Sequence, residues 1–138
     1  MTRDNFAPAA GVVVLKHMDG DYHVLCLVTP DGKYDLTKGI IDPGETAFEA
    51  AVRETREEAS ITELQFPYGK VSHAYDACEM FVALTDQEPE IFPNPHSGVW
   101  EHKGYVWVPI LEAVNSDRIK KFLQPALLFA FDLVRSKP

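Results

Sequence analysis

The sequence is poor in cysteine and has no long apolar run. Its two cysteines among 138 residues, Cys26 and Cys78, are isolated and form no CxxC pair. That excludes a dense disulfide framework and predicts two reduced, packed thiols. The most apolar stretches, residues 11–15 and 125–131, fall far short of the about 20 residues that a membrane-spanning helix needs. Residues 1–5 carry no basic start followed by an apolar core, so we expect no signal peptide and a cytoplasmic protein.

Positive charge is also scarce. The 13 lysines and arginines face 21 aspartates and glutamates, which leaves a formal net charge of −8. Nucleic-acid backbones and anionic membranes would repel such a chain, so we expect no membrane partner and no general affinity for nucleic acid. A small phosphorylated substrate fits this charge if a cation stands between it and the protein. The sequence leaves the oligomeric state open.

The length and composition fit one compact domain over residues 1–138. An apolar share of 46% is ordinary for a globular protein, and 138 residues can bury a sizeable core. Strands followed by helices, in an order that does not strictly alternate, favour an α/β fold with a mixed sheet. We predict strands at residues 10–16, 22–29, 71–77, 79–84 and 104–108, a short extended piece at residues 34–38, and helices at residues 46–60, 109–115 and 117–135.

Two of these segments carry irregularities with a structural meaning. The connection over residues 86–103 contains Pro89, Pro93 and Pro95 and is too long for a tight turn, so we expect it to be functional or mobile. Pro125 lies inside the last helical pattern and predicts a kink or a restart there.

The first helix places three acidic side chains together. Thr46-x-x-Glu49 has the spacing of a capping box and predicts a helix that begins there and ends near Ser60. At 100° per residue, a stripe that includes Phe48 and Ala59 should face the sheet. The opposite side of the helix then carries Glu54, Glu57 and Glu58.

Such a carboxylate cluster has two interpretations. Like charges three or four residues apart destabilise a helix by a few tenths of a kcal/mol per pair, unless a divalent cation such as Mg²⁺ binds among them. The alternative is a solvated face in which Arg53 and Arg56 pair with the glutamates, and composition alone favours that alternative. The spacing of the whole stretch reverses the preference.

That spacing is Gly39, five residues, Glu45, seven residues, Arg53-Glu54, then Glu57-Glu58 and Ile61. It resembles the Nudix box, GX5EX7REUXEEXGU, in which U is a bulky aliphatic residue. Six of the seven fixed letters match without a gap, and the departures are Thr55 at the first U and Ser60 at the box glycine.

The resemblance implies an α/β/α sandwich and metal-dependent hydrolysis of a nucleoside diphosphate linked to another group. It implies that Glu54, Glu57 and Glu58 hold Mg²⁺ or Mn²⁺, helped by the Gly39 carbonyl. Arg53 would orient the glutamates, and Glu45 would brace the loop before the helix. In this family the general base is sometimes a box glutamate and sometimes an acid on a later loop, for which Glu101 is the candidate here.

Finer features are similar to those of one branch, the asymmetrical diadenosine tetraphosphate hydrolases. These features are the Tyr-x-x-x-Lys-Gly lead-in at residues 34–39, Thr55 within the box, and the Ser…Glu-His-x-x-Tyr-x-Trp segment at residues 97–107, which has two extra residues after the serine. The branch implies a dinucleoside tetraphosphate as substrate. Oxidised dNTPs, ADP-ribose or sugar nucleotides, and RNA 5′ ends are the alternatives for an enzyme. A non-catalytic nucleotide-binding module is the alternative outside catalysis.

Several residues outside the box are candidates for substrate contacts. Lys38 either contacts a substrate phosphate or is an exposed lysine before a turn. Tyr34 and Tyr105 could stack on an adenine, or be half-buried strand aromatics. His73 and Tyr75 share one strand face and could reach the phosphates, although an ordinary surface role is the simpler interpretation. Glu101 would complete the site from the long loop.

Overall fold

The computed structural model describes residues 8–75 and 77–136. The predictions for residues 1–5 and for Asp76 within the strand at 71–77 lie outside them. The strands are β1 (Ala9–Met18), β2 (Asp21–Val28), β3 (Tyr34–Asp35), β4 (Thr37–Ile40), β5 (Ser72–Tyr75), β6 (Cys78–Leu84) and β7 (Gly104–Pro109). The helices are α1 (Ala47–Ala59), α2 (Ile110–Val114), a 3₁₀ helix (Lys121–Leu123) and α3 (Gln124–Ser136).

Strand β1 is the centre of a seven-stranded mixed sheet. It pairs in parallel with β6 and antiparallel with β2 and β4, while β2 also pairs antiparallel with β3 and β7, and β5 with β6. The apolar run of β1 is buried on both faces, as expected for a central strand. Val13 and Leu15 pack into a core shared with α2 and α3, and Val12 and Val14 into one shared with α1. The predicted α/β/α arrangement is confirmed.

The segment from residue 34 to residue 40 bridges a split between β1 and β2. The two strands pair only through residues 15–18 and 21–24, and beyond that β3 pairs with β2 and β4 with β1. The single extended piece predicted at residues 34–38 is therefore two short strands, separated by buried Leu36. The approach of β4 to β1 is close, since a Cβ on Gly11 would lie 2.0 Å from the Thr37 carbonyl oxygen.

Helix α1 begins as predicted, and its buried face is rotated from the prediction. Thr46 accepts a hydrogen bond from the Glu49 amide, and the Glu49 carboxylate accepts one from the Thr46 amide. The fully buried residues are Ala50, Ala51, Thr55 and Ala59, whereas Phe48 and Val52 are only half-buried. The prediction that all three carboxylates lie opposite the buried stripe is wrong for Glu58, because small side chains let the sheet approach on its side of the helix.

Both departures from the motif have a local explanation. The Thr55 hydroxyl is buried but satisfied, because it donates to the Ala51 carbonyl at 2.8 Å and lies 2.9 Å from the Thr37 hydroxyl. Ser60 ends the helix in the left-handed conformation, with φ 60° and ψ 25°, which favours glycine. The Ser60 hydroxyl donates to the Glu90 carbonyl at 2.9 Å, a hydrogen bond that glycine could not make.

The C-terminal region confirms the restart at Pro125. The helix predicted over residues 117–135 is wrong for residues 117–120, which are not helical; the 3₁₀ helix and then α3, which begins at Gln124, follow them. Proline is tolerated in a first helical turn because the N–H that it lacks would have no partner within the helix there.

Across residues 8–75 and 77–136, no helix is long and apolar enough to cross a bilayer. Cys26 and Cys78 are free thiols, and burial raises the pKa of Cys26 to about 12.

Candidate active site

A cleft of about 700 Å³ separates the carboxylate side of α1 from the long loop before β7. One wall comes from β4 and α1, and the other from residues 92–96 together with residues 101–102. Its lining residues are Lys38, Gly39, Ile40, Glu54, Glu57, Glu58, Phe92, Pro93, Asn94, Pro95, His96, Glu101 and His102. The fold therefore brings the three motif glutamates, Gly39, Lys38 and Glu101 to one place.

Arg53 joins α1 to the loop that precedes it. Its Nε donates to Glu45 Oε2 at 2.6 Å, and its Nη1 donates to Glu54 Oε2 at 2.9 Å and to Glu57 Oε1 at 3.2 Å. Its Nη2 donates to the Ile40 carbonyl at 2.9 Å. The hydrogen bond from Arg53 holds the pKa of Glu45 below its usual value. A planar guanidinium can make all of these contacts at once because its five donors point in fixed directions.

Gly39 gives Glu54 the space for its carboxylate. A Cβ built on Gly39 would lie 2.0 Å from Glu54 Cδ and 2.2 Å from Glu54 Oε2. No real Cβ tolerates such distances, so the Glu54 carboxylate lies directly against the Gly39 backbone. The glycine that opens the motif is thus required by the packing of the glutamate fifteen residues later.

The glutamates differ in their surroundings. Glu57 is about half exposed, with 52% of its side-chain surface accessible, while Glu54 has 15%. Burial raises the pKa of Glu54, against the opposing effect of Arg53. Burial also raises the pKa of Glu58 to about 8, although its Oε1 accepts a hydrogen bond from the Lys38 amide at 2.9 Å. Two desolvated carboxylates in one cleft favour a cation beside them.

This donor set fits a hard divalent cation in chemistry, although the side chains do not converge. In the part of the chain that the structure describes, no three His, Cys, Asp or Glu side chains form a metal-holding cluster. Glu54 and Glu57 are turned towards Arg53, and Glu58 towards the Lys38 amide. Oxygen ligands from carboxylates and a backbone carbonyl are those that Mg²⁺ and Mn²⁺ prefer. Binding an ion here therefore requires rotations of the glutamate side chains.

A buried aspartate beside Lys38 was missed by sequence reasoning. Asp35 is only 6% exposed, and its carboxylate lies 3.1 Å from Lys38 Nζ, 3.2 Å from Lys120 Nζ and 3.7 Å from His102 Nε2. Burial acts to raise the pKa of Asp35, but the contacts with His102, Lys38 and Lys120 outweigh it and hold the pKa well below its usual value. The one sequence signal was a charged residue three positions before Lys38.

The long loop contributes Glu101 and an unexpected aromatic side chain. Glu101 Oε2 accepts a hydrogen bond from Asn94 Nδ2 at 3.0 Å, which ties the middle of the loop to the part just before β7. Phe92 lines the cleft although 63% of its surface is exposed. No pattern in the sequence placed Phe92 at the site.

Four of the predicted substrate-binding residues do not line the cleft. The Tyr34 ring lies 4.8 Å from the Arg118 guanidinium, and its hydroxyl accepts a hydrogen bond from Arg118. The Tyr105 hydroxyl donates to Glu88 at 3.1 Å. The other two lie on β5: His73 packs against Phe129 of α3, with ring centroids 5.7 Å apart, and Tyr75 is exposed.

Comparisons with known proteins bear on the family and the fold. A model of the NUDIX domain matches residues 5–128. An asymmetrical bis(5′-nucleosyl)-tetraphosphatase from Caenorhabditis elegans is 39% identical over 67 residues, which are 47% of this chain and 49% of that relative. The structure of a C. elegans Ap4A hydrolase binary complex has a TM-score of 0.72 at 24% identity, covering 93% of this chain and 98% of that one. RenU, a Nudix hydrolase from M. smegmatis, has a TM-score of 0.71 at 18% identity, with coverages of 95% and 88%.

Proposed function

Because the chain belongs to the NUDIX family, we propose that this Nudix hydrolase cleaves a dinucleoside tetraphosphate asymmetrically, with Mg²⁺ or Mn²⁺ as cofactor. Members of the family act on small nucleotides and generally use divalent metals. The observation that carries the proposal is the cleft that gathers Glu54, Glu57 and Glu58 on one wall with Lys38 beside them and Glu101 on the other wall. The asymmetrical tetraphosphatase that matches about half of the chain supports the choice of substrate.

In this proposal Glu54, Glu57, Glu58 and the Gly39 carbonyl hold the metal. A bound divalent ion supplies charge neutralisation at phosphate oxygens and lowers the pKa of water. Arg53 keeps the glutamates on the cleft side of α1, and Glu45 fixes the loop through the same guanidinium. Without that guanidinium, the like charges of Glu54 and Glu57 would push their side chains apart.

Lys38 binds a phosphate of the substrate. It is the one lysine among the described residues that line the cleft, so it supplies the cation that a chain of net charge −8 needs next to a polyphosphate. The proton acceptor for the attacking water is either a motif glutamate or Glu101, whose carboxylate Asn94 orients. Stacking of a nucleobase on Tyr34 or Tyr105, and phosphate contacts by His73 and Tyr75, stay predictions.

The test is product analysis on a panel of nucleotides with Mg²⁺, with Mn²⁺ and with EDTA. The panel contains dinucleoside tetraphosphates, oxidised and normal dNTPs, ADP-ribose and RNA with a 5′-triphosphate end. We expect a tetraphosphate to give one nucleoside triphosphate and one monophosphate. We expect faster turnover of that substrate than of any other, and none in EDTA. Preferred turnover of another class would overturn the substrate assignment.

Variants test the roles of the glutamates. Glu57→Gln and Glu58→Gln remove a charged ligand with almost no change of shape, so each should lose most of the activity while staying folded by circular dichroism. Glu112→Gln is the matched control, because Glu112 is exposed on α2. Equal rates for wild type and Glu58→Gln, with and without metal, would favour a binding module instead of an enzyme.

A further inference from the structure

Two lysines from different parts of the chain share the buried carboxylate of Asp35. Lys38 precedes the motif and lines the cleft, whereas Lys120 comes just before the 3₁₀ helix. Its side chain is 40% exposed, and it is not among the cleft-lining residues. The Lys38 ammonium lies 3.1 Å from Asp35 Oδ1 and donates to Oδ2 at 3.3 Å, and the Lys120 ammonium donates to the same Oδ2 at 3.2 Å.

This arrangement sets up a competition for Lys38. A buried carboxylate must be paired with a cation, so Asp35 alone would hold the Lys38 ammonium and oppose its transfer to a substrate phosphate. The Lys120 ammonium offers Asp35 a second partner that does not belong to the cleft. His102, whose Nε2 lies 3.7 Å from Asp35, borders the pair from the side of the loop.

We propose that Lys120 is a positioning residue that balances the charge of Asp35 and so leaves the Lys38 ammonium available to a phosphate in the cleft. The inference rests on the proposed role of Lys38. It does not require Lys120 to touch the substrate. Its effect should therefore appear in substrate binding more than in the chemical step, and it should depend on the presence of the Asp35 charge.

The first measurement compares three variants by steady-state kinetics on the preferred substrate. Lys120→Met should raise KM about three- to tenfold, the scale of one partly buried ion pair, and leave kcat within about twofold. Lys120→Arg keeps the charge and should keep KM within about twofold of wild type. Lys121→Met is the matched control, because it removes the same net charge at the next residue, which is exposed and makes no ion pair within residues 8–75 and 77–136.

The second measurement adds Asp35→Asn to Lys120→Met. The asparagine side chain is similar in shape to that of Asp35 and can still accept the hydrogen bond that the Leu36 N–H donates to Asp35 Oδ1 at 2.9 Å. The double variant should therefore fold and return KM to within about twofold of wild type. An unchanged KM in Lys120→Met would overturn the inference. So would an equal rise in Lys121→Met, or a double variant that folds but keeps the high KM. Should Asp35→Asn fail to fold, the comparison of Lys120→Met with Lys121→Met decides by itself.

A separate readout distinguishes failure of this inference from failure of the proposed function. If wild type hydrolyses no nucleotide of the panel, the proposed function is wrong, and affinity for Mg²⁺-tripolyphosphate by calorimetry takes the place of KM. The same variants should then weaken binding in the same order. If wild type hydrolyses the substrate and Lys120→Met leaves KM unchanged, only the inference about Lys120 is overturned.

Discussion

Replacing Gly39 by alanine should displace the Glu54 carboxylate and remove most of the activity. The new Cβ would lie 2.0 Å from Glu54 Cδ and 2.4 Å from Glu54 Oε1. Carbon atoms in ordinary contact are about 3.5 Å apart, so the carboxylate must move by about 1.5 Å or the backbone of β4 must yield. Movement of the carboxylate breaks the 2.9 Å hydrogen bond between Arg53 and Glu54, and movement of β4 disturbs the 2.9 Å hydrogen bond from Arg53 to the Ile40 carbonyl.

The expected loss of rate is larger than the expected loss of stability. A misplacement of about 1 Å in a catalytic group costs about a hundredfold in rate, which corresponds to about 2.7 kcal/mol in the activation free energy. Stability should change less. The lost charge-assisted hydrogen bond costs about 1.5–3 kcal/mol, and the reduced backbone freedom of alanine in the unfolded chain returns about 0.4–1 kcal/mol.

The assay is kcat at saturating Mg²⁺ together with the urea midpoint of unfolding. Gly104→Ala is the control, because a Cβ there would meet nothing within 4 Å, and it should keep kcat within about twofold. A folded Gly39→Ala that keeps kcat within about threefold of wild type would refute the steric reasoning.

Three further predictions concern the same helix. Arg53→Lys keeps the charge but loses the fork that joins three carboxylates to one group, so kcat should fall by about tenfold or more, whereas Arg56→Lys on the exposed side should change it less than twofold. The folded-state pKa of Glu58, about 8, is above its ordinary 4.5, so the native state holds this proton more tightly. The free energy of unfolding in EDTA should therefore fall as pH rises from about 4.5 to about 8, by about 2–4 kcal/mol more in wild type than in Glu58→Gln; parallel pH profiles of urea denaturation would contradict this. Ser60→Ala keeps the left-handed strain and loses the hydrogen bond to Glu90, so it should destabilise the protein by about 1 kcal/mol. Ser60→Gly loses the same hydrogen bond but relieves the strain, so its stability should stay within about 1 kcal/mol of wild type. Equal thermal midpoints for the two variants would show that the strain is absent.

Features that are local in the chain were predictable. The capping box at Thr46, the strand β1 and the restart at Pro125 follow from hydrogen-bonding and rotational preferences that act within a few residues. The motif spacing likewise brings Gly39, Arg53 and the three glutamates together, because one loop and one helix span the whole stretch. The structure confirms the helix and places Gly39 and the three glutamates in one cleft, with Arg53 bonded to Glu54 and Glu57, while their roles stay proposals.

Features that depend on distant parts of the chain were not predictable. The rotation of the buried face towards Glu58 depends on how closely β1 and β4 approach α1, which periodicity does not report. Tyr34 and Tyr105 were candidates for stacking on a base, yet each is engaged by a partner from another element, Arg118 or Glu88. Phe92 lies in the cleft because of the path of the loop over residues 86–103, and the conformational preferences of neighbouring residues do not determine that path.

The amino-acid sequence by itself determined the chemistry that is present: a run of carboxylates on one helix, a guanidinium among them and a glycine at the start of the loop. Those residues are close in the chain, so short-range geometry alone brings them together. Only the tertiary structure decided which charges are desolvated and which are shared, as with Asp35 between Lys38 and Lys120. Desolvation and pairing depend on what packs around a group, and here Lys120 lies 85 residues after Asp35 in the chain.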